Sequence, residues 1–346
     1  MMLDEFLSKL KRYTKAISLK SENGSIIVTE YGGRVLAVSI KGSPNLLWVN
    51  PNLETVMERR EFNIGGLRVW VSPERNFFYE NPRKFEGWFC PSELDPGEFR
   101  IVELTDSTVA LESKFKLRDL LNLETLNMTI RRDILLEDLD GGLSVHVRES
   151  LIASGFDKSR VCLWALAQVY PGYGSEGTVV IPVKPGAEPL HYFGEIPADR
   201  LKATSSHVAF RIDGEYICKL GVKPEDLRLR GWASIGYIAK APWDSGLGLL
   251  LVMETCCAPR FQDECLDPSK VNPEGPKAAV QSYNSGPNEE HLRFGEIELQ
   301  FPAAAIADGV QFSTVAYTLK AYLTTYEESL EKLRGILHTS DLQPFS

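Results

Sequence analysis

Residues 281–302 read QSYNSGPNEEHLRFGEIELQFP, a polar, turn-rich loop that runs into a short strand-like segment. Side chains alternate between the faces of a strand, so Glu296 and Glu298 project from one side and Gly295, Ile297 and Leu299 from the other. Two like charges on one face repel unless that face meets water, a cation or a ligand. A solvated strand face satisfies this condition, and so does a concave sheet face that receives a polar ligand.

Segments of the same kind recur along the chain. Runs rich in Val, Ile, Leu and aromatic residues stand at 25–29, 34–40, 45–49, 67–71, 109–114, 126–135, 142–150, 160–168, 208–212, 232–239, 246–254 and 310–319, among others. Turn signals such as NG, GG, DGG and PGYG separate them. Helical spacing is confined to the two ends. Leu3, Phe6, Leu7 and Leu10 open an amphipathic helix expected over about 3–17, and Leu330, Leu333 and Leu337 stripe a second over about 326–337. Many short strands without intervening helices exclude a doubly wound α/β fold. They predict an all-β chain, a large antiparallel β-sandwich with short terminal helices. No linker or fixed-period repeat divides the sequence, so residues 1–346 are read as one domain.

Composition narrows the function. A hydrophobic fraction of 43% supports a sizeable core, and a net charge of -9 argues against a nucleic-acid surface, which needs clustered Lys and Arg. No run of about 18 apolar residues is present to span a membrane. The N-terminal segment mixes acids and bases where a secretory signal would be basic and then apolar. Six cysteines without C-x-x-C spacing point to the cytoplasm. No HExxH, phosphate loop or nucleophile elbow occurs, and no metal or cofactor is expected. Oligomeric state is left open.

Several clusters carry chemistry. In NIGGLRVWVSPE (63–74), Arg68 and Trp70 share a strand face; a guanidinium fork beside an indole suits sugar recognition, and a core Trp flanked by a snorkelling Arg fits the same pattern. In CLWALAQVYPGYG (162–174), Trp164, Leu166 and Gln168 share a face, and the Gln168 amide can both donate and accept. The aromatic loop FEGWFCPSELDPG (85–97) either walls a pocket or caps the sandwich. His146, Arg148 and Ser150 alternate with Val145 and Val147, which makes His146 the best-placed acid/base candidate by pattern, whereas His291 reads as a loop residue. Lys184, Lys219, Lys223 and Lys240 read as surface lysines that an acidic sugar would also suit. Glycoside hydrolysis is disfavoured: Glu296 and Glu298, about 6–7 Å apart at their Cα atoms on one strand, stand side by side and do not flank a bond from opposite faces.

With these residues in hand, the chain resembles the galactose mutarotase-like superfamily, in an aldose epimerase-related branch. The resemblance rests on ENGSIIVTEYGGRVLAVSI, IGGLRVWVSPE, GWFCPSELDPG, LWALAQVYPG and YNSGP…GEIELQFPA, in this order from about residue 23 to 302. It implies a supersandwich whose concave face holds a monosaccharide. A Glu would take the proton of the anomeric hydroxyl and a His would protonate the ring oxygen. Glu298 stands closest to the position of the base, with Glu296 as the neighbouring alternative, and Arg68 resembles the sugar-contacting Arg. Trp70, Glu74, Trp164, Gln168 and Tyr283 complete the expected substrate-binding set. The chain departs from the pattern where the family carries its acid: Gln168 stands in that place, and His146 is the proposed substitute. A non-catalytic carbohydrate-binding protein and an interaction scaffold are the alternative readings.

Overall fold

The computed structural model describes residues 3–172, 177–287 and 292–345. Among these residues two large sheets form, and their paired strands run antiparallel. The first has nine strands in the order Ala16–Lys20, Gly24–Thr29, Arg34–Ile40, Leu67–Ser72, Cys162–Val169, Gly295–Gln300, Val280–Asn284, Cys218–Val222 and Leu190–His191. The second has eleven, with Gly142–Ser154 and Asp244–Thr255 on either side of the long strand Val310–Thr325. A two-stranded hairpin joins Tyr79–Asn81 to Glu86–Trp88. The expected all-β sandwich is the observed fold.

Alternation explains how the sheets meet. Ile297 and Leu299 pack into the core together with Val145, Val147 and Leu319 of the second sheet. The intervening Glu296 and Glu298 therefore point to the other side of the first sheet. By the same rule His146 and Arg148 point away from the core on the second sheet. The two polar faces lie on opposite outer sides of the sandwich.

The core also contains charge. Arg132 and Glu149, both without solvent exposure, pair at 3.0 Å, and the Tyr317 hydroxyl donates to the same carboxylate oxygen at 3.0 Å. Arg132 donates further to the backbone carbonyls of Gly33 and Leu67, which belong to the facing side. Its guanidinium thus ties the two layers where a methylene chain would only fill space.

Three expectations are corrected. The N-terminal helix ends at Leu10, and Ala16–Lys20 is already a strand paired with Gly24–Thr29. Phe6 and Leu10 dock it onto Ile27, Leu36 and Met57. No strand forms over 45–49, where only Val49 makes a bridge, to Gly65. Here the Asn45 side chain accepts from the Val38 and Leu47 amides and donates to the Leu36 carbonyl, taking the place of a ladder. Lys219 is not at the surface but 3% exposed.

The C-terminal helix Tyr326–Leu337 seats Leu333 and Leu337 against Val180, Ile238 and Leu250. Gly236 permits this approach, because a Cβ there would stand 2.5 Å from Leu333 Cδ1. No helix among the described residues is long and apolar enough to cross a membrane.

Candidate functional site

The middle strands of the first sheet build the site through their register. Leu166 stands opposite Arg68 on one side and Glu298 on the other; Trp164 faces Trp70; Glu296 lies between Gln168 and Tyr283. Directly opposed residues share a face, so this register gathers Arg68, Trp70, Trp164, Tyr283 and both glutamates on one surface. A cleft of about 500 Å³ opens over it, lined by Arg68, Trp70, Glu74, Trp164, Tyr283 and Glu296 among the expected residues, and by Trp88, Lys219 and Lys270 in addition.

One wall is aromatic. The Trp70 ring meets Trp164 edge-on at 5.5 Å and Phe78 at 4.9 Å, with Trp88 beyond at 6.5 Å. The 85–97 loop both walls the cleft and anchors it. Trp88 lines the mouth, and Asp95 accepts from Trp70 Nε1 at 2.7 Å and from Arg34 Nη2 at 2.6 Å. The indole is therefore fixed by a buried ion pair rather than by packing alone.

The floor is ionic. The Arg68 guanidinium stacks 3.9 Å over Trp70 and pairs with Glu296 at 2.5 Å, while Nε and Nη1 have no hydrogen-bond partner. Lys219 Nζ lies 3.1 Å from Glu298 Oε2 and 4.0 Å from Glu74 Oε2. Glu74 also accepts from Trp88 Nε1 at 2.8 Å, and its backbone amide donates to Asp267 at 2.8 Å.

The two glutamates are not equivalent. Glu296 lines the cleft, whereas Glu298 has no exposure and lies beneath it, with Trp164 Nε1 donating to its Oε2 at 3.0 Å and Oε1 left unpartnered. Burial pushes the Glu298 carboxyl up to about 8; the charges of Glu296 and Glu74 add to this, and Lys219 opposes it. Asp267 rises to about 6, first through burial and then through Glu74. For Lys219 burial alone would lower the ammonium, but Glu298, Glu74, Asp267 and Glu296 outweigh it and hold the group above its ordinary value. Burial and the nearby Glu296 and Glu74 raise the Tyr283 phenol.

Between the ordinary carboxyl value of 4.5 and about 8, folded Glu298 keeps a proton that the unfolded chain has released. Stability therefore falls as pH rises through that window, and Asp267 adds to the fall between 3.8 and about 6. Urea unfolding at a series of pH values is expected to show a shallower slope for Glu298→Gln than for the parent. Parallel curves would contradict the buried, proton-holding Glu298.

Besides Glu298, two further expected residues do not line the cleft. His146 belongs to the opposite outer face, where it meets Ser144, Glu137 and Thr318. The odd–even alternation that made it conspicuous is also what turns it away. Gln168 is sealed, and its Nε2 donates to Asn63 Oδ1 at 3.0 Å, so Asn63 and not Gln168 meets the cleft. His291 lies outside the described residues. Sequence reading missed Asp267, set Lys219 among surface lysines, and reached Trp88 only through the loop read as a pocket wall. A signal for Lys219 existed: a lone lysine in CKLGV, flanked by apolar residues, in a strand buried throughout.

A galactose mutarotase-like protein from Lactobacillus casei superposes with a TM-score of 0.51 at 15% identity, over 90% of this chain and 100% of that one. A candidate aldose 1-epimerase from Escherichia coli K12 gives 0.53 at 11% identity, over 90% and 99%. At such identities the likeness establishes the fold, which is galactose mutarotase-like. No curated protein matches the sequence. A family model described as a family of unknown function, DUF6786, matches residues 3–342, and the chain belongs to that family.

Proposed function

We propose that the whole chain acts as one carbohydrate-binding unit in the cytoplasm, which holds a cyclic monosaccharide in the cleft and exchanges its anomers by acid/base chemistry. The observation that carries this reading is the pairing of an indole wall with an ionic floor in a cleft of about 500 Å³. Indole faces cover the apolar C–H surface of a sugar, and charged side chains meet its hydroxyls. Glu296 is the carboxylate placed to take the anomeric proton, and Arg68 orients it. Glu298, nearest the family position of the base, serves from beneath. A second reading, sugar binding without turnover, is favoured by one feature: no histidine lines the cleft among the described residues.

Magnetisation-transfer NMR on a panel of aldoses, uronic acids and sugar phosphates separates these readings. Accelerated exchange of one sugar is the expected result. Saturable line broadening without exchange would favour the binding protein, and silence across the panel would refute both.

A further inference from the structure

Among the described residues no histidine lines the cleft to protonate a ring oxygen, yet a buried cation stands in its floor. Lys219 comes from Cys218–Val222, opposite Tyr283 in the register, and is one of the cleft-lining residues. Carboxylates and aromatic rings from several elements surround its Nζ. Glu298 lies at 3.1 Å and Glu74 at 4.0 Å, and the rings of Trp164 and Tyr192 have centroids at 4.4 and 5.7 Å. The charges of Asp267 and Glu296 also act on it. An ammonium is costly to bury and is held only where anions compensate it, a role that falls to Glu74, Asp267 and Glu296 while Glu298 carries its proton. A counter-ion alone would need to reach only the carboxylates below. Lys219 is 3% exposed and also lines the cleft, whereas Glu298, 3.1 Å from its Nζ, has no exposure and does not line it.

We propose that Lys219 is the catalytic proton donor to the ring oxygen, and that Glu298 beneath it holds and restores that proton. The proposal rests on the anomer-exchange reading above. In the forward step Glu296 takes the proton of the anomeric hydroxyl as the bond from C1 to the ring oxygen breaks. The electron pair of that bond goes to the ring oxygen, which takes a proton from Lys219 Nζ, and C1 becomes the aldehyde carbon. The protonated Glu298 carboxyl returns a proton to the lysine amine. After rotation about C1–C2 the same transfers run backwards and close the ring on the other face. Nothing is oxidised or reduced, and every proton returns to its origin. The raised carboxyl of Glu298 supports the scheme, since a group at about 8 carries its proton at neutral pH.

The test uses the full chain and the sugar that exchanges fastest in the panel. Lys219→Arg keeps the positive charge, but a guanidinium does not give up its proton. Exchange is expected to fall about 10²-fold, the lower end of what a positioned acid contributes, while the sugar Kd shifts only a few-fold. Lys219→Ala provides the second readout. Ethylammonium, which can donate a proton, should restore exchange, and guanidinium, which supplies charge only, should not. It also covers the case in which the arginine variant fails to fold. Parent-like exchange in Lys219→Arg, or equal rescue by both cations, would overturn the donor role and leave anomer exchange standing. No exchange by the parent protein would remove the reaction itself, and the donor with it.

Discussion

Replacing Glu296 by glutamine is expected to slow anomer exchange by about 10²- to 10⁴-fold, the range that a positioned acid or base supplies. Glutamine keeps the shape and still accepts a hydrogen bond from Arg68, now 2.5 Å from the carboxylate, but it cannot take up a proton. Sugar affinity should change far less than rate, because the Trp70 and Trp164 wall is untouched. Magnetisation-transfer NMR gives the rate, and titration with the same sugar gives the affinity. The contrast with Glu298→Gln is informative. By the position that the sequence resemblance implies, that variant should abolish turnover, whereas the complete burial of Glu298 makes the expected loss smaller than for Glu296→Gln. The reverse order would return the role of base to Glu298 and require the floor to open when sugar binds.

Arg132→Met is expected to cost about 3–5 kcal/mol of stability, the range seen when one partner of a buried ion pair is removed. Glu149 has no exposure, and burial already raises its carboxyl against the attraction of Arg132. Without the guanidinium it stays in the core as an uncompensated charge or takes up a proton. The penalty should therefore shrink at low pH, where Glu149 is neutral whether or not the chain is folded. Arg132→Met combined with Glu149→Leu should recover much of the loss, since an apolar pair of similar volume often replaces a buried ion pair at little cost. Urea midpoints for the parent, the single and the double variant decide this. A double variant no more stable than the single would show that the contacts to Gly33 and Leu67, rather than charge compensation, set the cost.

The architecture was legible because strand alternation is a local property. GEIELQ shows its two faces in six letters, and the structure places Ile297 and Leu299 in the core with Glu296 and Glu298 turned outward. Arg68, Trp70 and Trp164 followed from the same rule, and all three line the cleft. His146 shows where the rule stops. Its strand alternates just as cleanly, but periodicity does not tell which side of which sheet a polar face will occupy. Asn45 shows another limit: a side chain that bonds three backbone groups can displace a strand that propensity favours.

The sequence by itself determined the all-β class, the pairing of opposite faces on each strand, and most of the residue types that line the cleft. Those properties depend on near neighbours in the chain and on the period of the backbone. Only the tertiary structure decided that Lys219 leaves the surface for the cleft floor, that Glu298 is sealed while Glu296 is not, and that His146 is excluded. Each of these depends on strands far apart in sequence being set side by side. The electrostatics of a buried carboxylate depend on what that pairing places above it.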